Sequence, residues 1–307
     1  MRKGLTALLC TTVVTVMGAS TLAAQQAQEE AQIDATQLAD NVYMLTGQGG
    51  NLGLSVGPDG AFLIDDQFAP LHEMIVSKIE ELAGELVDVE QNTFLLNTHF
   101  HPDHTDGNEL MGAEGAVILA HENVRRRLAV EQVVPFFDMR HPALKPSGLP
   151  VLTFTRDVTL HLNGDEIEVF HVGGPAHTDG DAAVHFTQAN VIHAGDIVFI
   201  GTYPFIDMDN GGSAAGVIAA VEKILARCDD ATQIIPGHGP VVDKAGLTEY
   251  HAMLTETYAA VKALVESGKT LEEVQAAQPT AKHDAAWSTF IKADGYVSFL
   301  YRDLTGK

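Results

Sequence analysis

The chain has 307 residues, 46% of them hydrophobic, which is enough apolar material for a sizeable buried core and is not typical of a disordered protein. It carries 41 acidic and 18 basic side chains, giving a formal net charge of −23 at pH 7. Because nucleic-acid binders need basic patches to displace phosphate counterions, this charge argues against a nucleic-acid partner. Alternating strand and helix patterns favour a layered α/β (α+β) protein.

The N-terminus has the pattern of a secretory signal peptide. Arg2 and Lys3 precede an apolar stretch from Leu5 to Met17, and small residues follow through Ala24. We expect a signal peptide over residues 1–24 and a periplasmic or secreted mature protein without stable membrane insertion. The alternative is a retained membrane anchor, which the short apolar core disfavours.

Cleavage would leave Cys228 as the only cysteine, so the mature chain would have no internal disulfide. The segment 25–38 is rich in Gln, Glu and Ala and is predicted to be a linker. Short strands are expected around Val42–Leu45, Leu52–Val56 and Ala61–Ile64, followed by a helix from Met74 to Leu82.

A histidine cluster follows the next apolar run, Thr93–Leu96. It consists of His99, His101, Asp103 and His104. Imidazole and carboxylate are ligands for zinc, iron or manganese, and four of them within six residues can hardly all bind one tetrahedral ion. The cluster therefore predicts two adjacent ions.

Local geometry supports dividing these four residues between two ions. His99 and His101 are two residues apart, so they project to one side if the strand geometry continues. Pro102 ends the strand and redirects Asp103 and His104, so that each pair can serve one ion. Thr105 or Asp106 is a candidate N-cap for the helix that follows.

Four other positions complete a pattern. Asp65 ends AFLID, His177 lies in VGGPAHTDGD, Asp196 ends VIHAGD, and His238 lies in QIIPGHGPVV. Together with the histidine cluster, these segments match in order the five motifs of the metallo-β-lactamase superfamily, which the chain resembles from about Asp65 to His238.

The resemblance implies a four-layer αββα sandwich over residues 39–245, with the metals at one edge between two sheets. It places His99, His101 and His177 on the first ion. It places Asp103, His104 and His238 on the second ion, with Asp196 bridging the two and Asp65 as a buried brace. Two divalent ions are implied, zinc above all, with iron and manganese as alternatives.

Helical signals dominate the later part of the chain. Ser213 is a candidate N-cap for a helix over Ala214–Ala226, and Thr270 with Glu273 forms a capping box in the tail. Residues 246–307 are predicted to be a helical extension whose default role is packing. Similar tails in the superfamily also wall substrate pockets or form homodimers, and both alternatives stay open.

Two apolar loops are predicted to shape the pocket: Val133–Phe137 with Met139, and Gly201–Ile206. The second loop follows Asp196, so Tyr203 is a candidate substrate-binding residue. The alternative for Tyr203 is packing beneath the loop.

The fourth motif directs the functional prediction. Class B β-lactamases usually have Cys or Ser where this chain has Asp196, whereas lactonases and glyoxalase-like hydrolases have Asp. We therefore predict a dinuclear hydrolase that acts on a small-molecule lactone, ester or amide through a metal-bound hydroxide, with Asp103 as its catalytic carboxylate. Hydrolysis of β-lactams is left open.

Three other functions compete with this prediction. Glyoxalase II activity is disfavoured, because its anionic glutathione thioester calls for Lys or Arg near the site and is cytosolic. An iron redox enzyme, such as a sulfur dioxygenase, and a non-catalytic periplasmic metal-binding protein are the remaining alternatives.

Overall fold

The computed structural model describes residues 32–84 and 92–306. The predicted signal peptide, its cleavage site and residues 25–31 of the predicted linker lie outside the described residues. Within the part that is described, no helix is long and apolar enough to cross a membrane.

The described strands form two large sheets and a small hairpin. Their bounds in chain order are β1 (Asp34–Ala39), β2 (Val42–Thr46), β3 (Leu52–Gly57), β4 (Gly60–Ile64), β5 (Thr93–Asn97), β6 (Val117–His121), β7 (Gln132–Val134), β8 (Met139–His141), β9 (Leu152–Phe154), β10 (Asp157–Leu162), β11 (Asp165–His171), β12 (Ala182–Phe186), β13 (Val191–His193), β14 (Gln233–Ile235) and β15 (Val242–Asp243).

The first sheet has the order β1-β2-β3-β4-β5-β6-β9, and the second has the order β10-β11-β12-β13-β14-β15. The pairs β4–β5, β5–β6, β6–β9 and β13–β14 are parallel, and the other pairs in both sheets are antiparallel. Strands β7 and β8 form a separate antiparallel hairpin. Each large sheet thus contains parallel strands whose carboxyl ends meet at one edge.

Among the described residues, helices pack against both sheets. Their bounds are α1 (His72–Ala83), α2 (Pro102–Thr105), α3 (Asn108–Ala113), α4 (Glu122–Leu128), α5 (Ala214–Leu225), α6 (Lys244–Glu266), α7 (Leu271–Ala276), α8 (Asp284–Trp287) and α9 (Ala293–Thr305). The side chain of Ser213 accepts a hydrogen bond from the Gly216 N–H, so it caps α5 as predicted. The Thr270–Glu273 capping box of α7 is also confirmed.

The core between the sheets is built from their facing side chains. Phe62 and Leu96 of the first sheet belong to the same buried cluster as Val184 and Phe186 of the second. The rings of Phe62 and Phe186 meet edge to face, with centroids 6.1 Å apart. A second core fills the space between the second sheet and the helices α5, α6 and α9. These layers form the predicted αββα sandwich.

Two sequence predictions need correction. The predicted linker ends too late, because β1 begins at Asp34 and pairs with β2. Its side chains are mostly exposed, so backbone hydrogen bonds rather than an apolar face hold it in the sheet. Neither Thr105 nor Asp106 is an N-cap, because α2 begins after His101 and α3 after Gly107.

We expect Phe186→Ala to lower the free energy of unfolding by about 3–5 kcal/mol, because it removes a fully buried ring and leaves a cavity between the sheets. Phe290→Ala is the matched control, since 68% of Phe290 is exposed, and should cost less than about 1 kcal/mol. Urea unfolding of the metal-replete proteins measures both values. Equal losses in the two variants would contradict the assignment of this core.

Candidate metal centre

The loops that end parallel strands in both sheets meet at one edge of the sandwich. In the first sheet, Asp65 follows β4, and the segment from His99 to His104 follows β5. In the second sheet, Asp196 follows β13 and His238 follows β14. His177, in the loop between β11 and β12, completes the set. The fold therefore brings together all seven residues that were predicted as metal ligands.

The first group consists of His99, His101, His177 and Asp196, with one potential ligand atom of each residue within 4.8 Å of the others. Asp196 Oδ2 lies 3.7 Å from His99 Nε2 and 3.5 Å from His177 Nε2. His101 contributes its other ring nitrogen, Nδ1, which lies 2.9 Å from His177 Nε2. All four residues are buried.

The second group consists of Asp103, His104 and His238. Asp103 Oδ2 lies 3.2 Å from His238 Nε2 and 3.6 Å from His104 Nε2. Asp196 is shared, because its Oδ1 lies 3.1 Å from His104 Nε2 and its Oδ2 lies 3.5 Å from His238 Nε2. One carboxylate thus stands between two sets of donors, in the arrangement that a bridging ligand requires.

Outer hydrogen bonds fix the orientation of the imidazole rings. His104 Nδ1 lies 2.8 Å from Asp65 Oδ2, and His177 Nδ1 lies 2.8 Å from the carbonyl oxygen of Phe205. Because these acceptors carry no hydrogen, the outer nitrogen of each ring must donate. The Thr98 hydroxyl donates to Asp65, so it accepts from His99 Nδ1 at 3.0 Å. His101 reverses the pattern and donates through Nε2 to Asp207 Oδ2 at 2.9 Å.

The inner nitrogen of each ring is consequently a bare lone pair when that ring is neutral. His99 Nε2 is such an atom, because it is buried and has no hydrogen-bond partner. His101 Nδ1 and His177 Nε2 are 2.9 Å apart, a separation that two bare acceptors would avoid unless a cation lay beside them. The donor set therefore fits divalent transition-metal ions.

Electrostatics also favour a positive charge here. Burial keeps the pKa of His99 well below its usual value and also lowers that of His177, so both rings are neutral. Burial opposes the charged forms of His104 and His238 as well. The carboxylate of Asp196 outweighs that effect, raising the pKa of His104 well above its usual value and that of His238 to about 9. The same negative charge would attract a metal ion.

Two glycines leave room for the ligands. A Cβ on Gly50 would lie 2.1 Å from the His104 ring, and a Cβ on Gly237 would lie 2.0 Å from Asp196 Oδ1. A side chain at either position would displace a member of the centre.

A cavity of about 390 Å³ opens onto the candidate metal centre. Both loops predicted to shape the pocket contribute to it, the first through Val134, Phe137 and Met139 and the second through Phe205. The lining also includes Gln48, Phe68, His101, Pro102, Asp103, His141, Asp196, Phe199, His238 and Phe290, and it contains no Lys or Arg among the described residues. The cavity is thus mostly apolar, with its polar groups concentrated at the centre.

The prediction that Tyr203 binds substrate is wrong, and the alternative that it packs beneath its loop is correct. Its side chain is fully buried and does not line the cavity. The hydroxyl donates to Asp284 Oδ1 at 2.8 Å, and the ring stacks on Tyr296 at 4.4 Å. Tyr203 therefore fastens its loop to the C-terminal helices, and Phe205 is the aromatic residue of that loop that faces the cavity.

Asp207 is the functional residue that the sequence analysis missed. It is buried, and besides accepting from His101 it is fixed by Asn210, which donates to Asp207 Oδ2 through its side-chain amide at 2.8 Å. In the sequence, Asp207 opens the segment DMDN after the apolar loop. Nothing in that segment indicates that it contacts a histidine.

Comparisons with known proteins agree with this geometry. Residues 45–238 match the family described as the metallo-beta-lactamase superfamily. A protein of Polaromonas sp. named hydroxyacylglutathione hydrolase is 28% identical over 214 residues, which cover 69% of this chain and 72% of the relative. A Caenorhabditis elegans protein named beta-lactamase-like protein 2 homolog is 23% identical over 275 residues, covering 87% and 82%.

A solved metallo-beta-lactamase from Pontibacter korlensis shares the fold, with a TM-score of 0.58 at 20% identity, over 73% of this chain and 99% of the other. The family match covers more than half of the chain and spans all seven predicted ligands. This chain belongs to the metallo-β-lactamase superfamily and is a hydrolase of that superfamily.

Proposed function

We propose that the protein is a dinuclear metal-dependent hydrolase that cleaves a lactone, ester or amide bond in an uncharged small molecule. The observation that carries the proposal is the convergence of seven donors, several with bare inner lone pairs, at the end of a cavity without cationic side chains.

His99, His101 and His177 would hold one ion, and Asp103, His104 and His238 the other, with Asp196 between them. Imidazole and carboxylate donors suit Zn²⁺, with iron and manganese as alternatives. Two such ions, when bound, acidify a water molecule and polarise a carbonyl oxygen.

Asp103 is the half-buried carboxylate that faces the cavity. Burial raises its pKa, but the neighbouring His104 and His238 outweigh burial and lower the pKa to about 2. Asp103 is therefore ionised at neutral pH. Beyond its place in the second group, it can accept a hydrogen bond from the water that attacks the substrate, which supports its proposed catalytic role.

The cavity wall supports an uncharged substrate. The Polaromonas relative is named for a glutathione thioester, which carries carboxylates that would call for Lys or Arg nearby. The described lining offers none, and the chain carries a net charge of −23. We therefore favour neutral esters, lactones or amides over glutathione thioesters, nucleic acids and phosphodiesters. β-Lactams, most of which carry one carboxylate, are an alternative outside this neutral class.

Export to the periplasm or to the medium is a further part of the proposal. It is supported by the charged start, short apolar core and small-residue exit of residues 1–24.

We expect about two metal ions per chain in protein grown in metal-replete medium, measured by elemental analysis. His101→Ala and Asp196→Ala should each lose most of the activity, because each removes a proposed ligand. His283→Ala is the matched histidine control, since its ring pairs with Glu256 outside the centre, and should retain activity. At most one ion per chain would contradict the dinuclear assignment, and equal activity in all three variants would contradict the site.

We expect Asp207→Asn to weaken metal affinity by about 10- to 100-fold, because the charged acceptor that orients His101 is replaced by a neutral one. Competition with a chelator of known affinity measures the change. Asp209→Asn is the control, since that neighbouring carboxylate pairs with Arg302 at the surface. If both variants bind metal like the wild type, Asp207 does not position the ligand.

We expect the metal-replete enzyme to hydrolyse neutral aryl esters or lactones with a higher kcat/KM than it shows for a bis-aryl phosphodiester or for S-lactoylglutathione. The reason is the absence of cationic groups in the cavity lining. Side-by-side kinetics decide the matter, and a preference for either anionic substrate would overturn the proposed substrate class. Oxygen consumption with a persulfide substrate in place of hydrolysis would identify an iron dioxygenase instead.

A further inference from the structure

A wall of aromatic rings leads from the candidate metal centre to the surface. The ring centroids of His101 and Phe205 are 5.8 Å apart, those of Phe205 and Phe137 are 4.8 Å apart, and those of Phe137 and Phe290 are 5.8 Å apart. Exposure increases outward along this wall: Phe205 is buried, Phe137 is half-buried, and Phe290 is 68% exposed. The proposed ligand set uses none of the three phenylalanines.

The outer end of the wall is held in place. The backbone N–H groups of Phe290 and Ile291 both donate to Thr202 Oγ1, at 3.2 and 3.1 Å. Thr202 belongs to the loop that follows Asp196. The Phe290 ring is therefore exposed even though its backbone is fixed to the loop beside the centre.

The connection between β7 and β8 is held by ring packing. The Phe136 ring lies 4.8 Å from that of Phe299 in α9, and a Cβ on Gly295 would come within 3.3 Å of the Phe136 ring. This packing keeps the adjacent Phe137 against the cavity. The wall is thus formed before any ligand binds, which reduces the entropy lost on binding.

The apolar character of this wall indicates which part of a ligand it would bind. Met139 and Phe290 line the cavity and are 38% and 68% exposed, so its outer end presents apolar side chains to water. Such patches beside a concave site usually bind an apolar part of a ligand.

We propose that this wall is the acyl subsite of the enzyme. The substrate has an extended, unbranched apolar acyl chain whose carbonyl lies at the metal centre and whose far end lies against Phe137 and Phe290. Phe290 is then a specificity-determining residue. This inference rests on the proposed hydrolase function and goes beyond it, because an uncharged substrate need not have a long chain.

The test uses the metal-loaded enzyme and 4-nitrophenyl esters of acetate, butanoate, hexanoate and octanoate, which share one leaving group. We expect kcat/KM to rise with chain length, by up to about fourfold for each methylene that becomes fully buried. Phe290→Ala should lower the ratio of kcat/KM for octanoate to that for acetate by about 10-fold, since only the longer chain reaches this ring. Val151→Ala removes an equally exposed apolar side chain outside the cavity lining and should keep the wild-type ratio.

Two outcomes separate this inference from the proposed function. Hydrolysis with a kcat/KM that is independent of chain length, or a wild-type ratio in Phe290→Ala, would overturn the acyl subsite alone. If no ester, lactone or amide is hydrolysed, the proposed function fails, and the apolar subsite is tested by titration with the neutral fluorescent probe 1-N-phenylnaphthylamine. Weaker probe binding in Phe290→Ala but not in Val151→Ala would support the subsite, and equal affinity in all three proteins would overturn it.

Discussion

One constraint shapes the centre: its imidazole rings must donate hydrogen bonds outward to the surrounding protein, so that their other nitrogens face the remaining ligands. His99, His104 and His177 donate outward to Thr98, Asp65 and the Phe205 carbonyl. The inner acceptor of His99 is left buried without a hydrogen-bond partner, and such a group costs about 1–3 kcal/mol. A bound cation would supply the missing partner and remove this cost, so metal binding would stabilise the folded state.

Asp65 shows how the backbone supports that constraint. It is fully buried, and its φ of 61° lies in the left-handed region that residues other than glycine rarely adopt. The conformation turns its carboxylate toward Thr98 and His104, where it accepts three hydrogen bonds of 2.7, 2.7 and 2.8 Å. The strained turn after β4 is thus stabilised by the residues that it orients, as is common at functional sites.

The sequence predicts which seven residues converge, because the spacing of His99, His101, Asp103 and His104 is a local signal and the resemblance to the superfamily supplies the other three positions. It also predicts the α5 cap, since Ser213 acts on its own helix. It fails where tertiary contacts decide the outcome. The apolar loop after Asp196 does not reveal that Tyr203 points toward Tyr296 and Phe205 toward the cavity. Asp207 meets His101 only in the folded chain, and the exposed strand β1 lacks an apolar pattern.

The hairpin of β7 and β8 and the segment around Phe290 line the cavity but supply none of the seven converging donors. Mutations in these two segments can therefore change the shape of the cavity while the strand-end loops stay intact. Substitutions there can therefore alter the fit of a ligand while each of the converging donors is kept. This separation also gives the protein engineer two short segments in which libraries can be diversified at little risk to the catalytic apparatus.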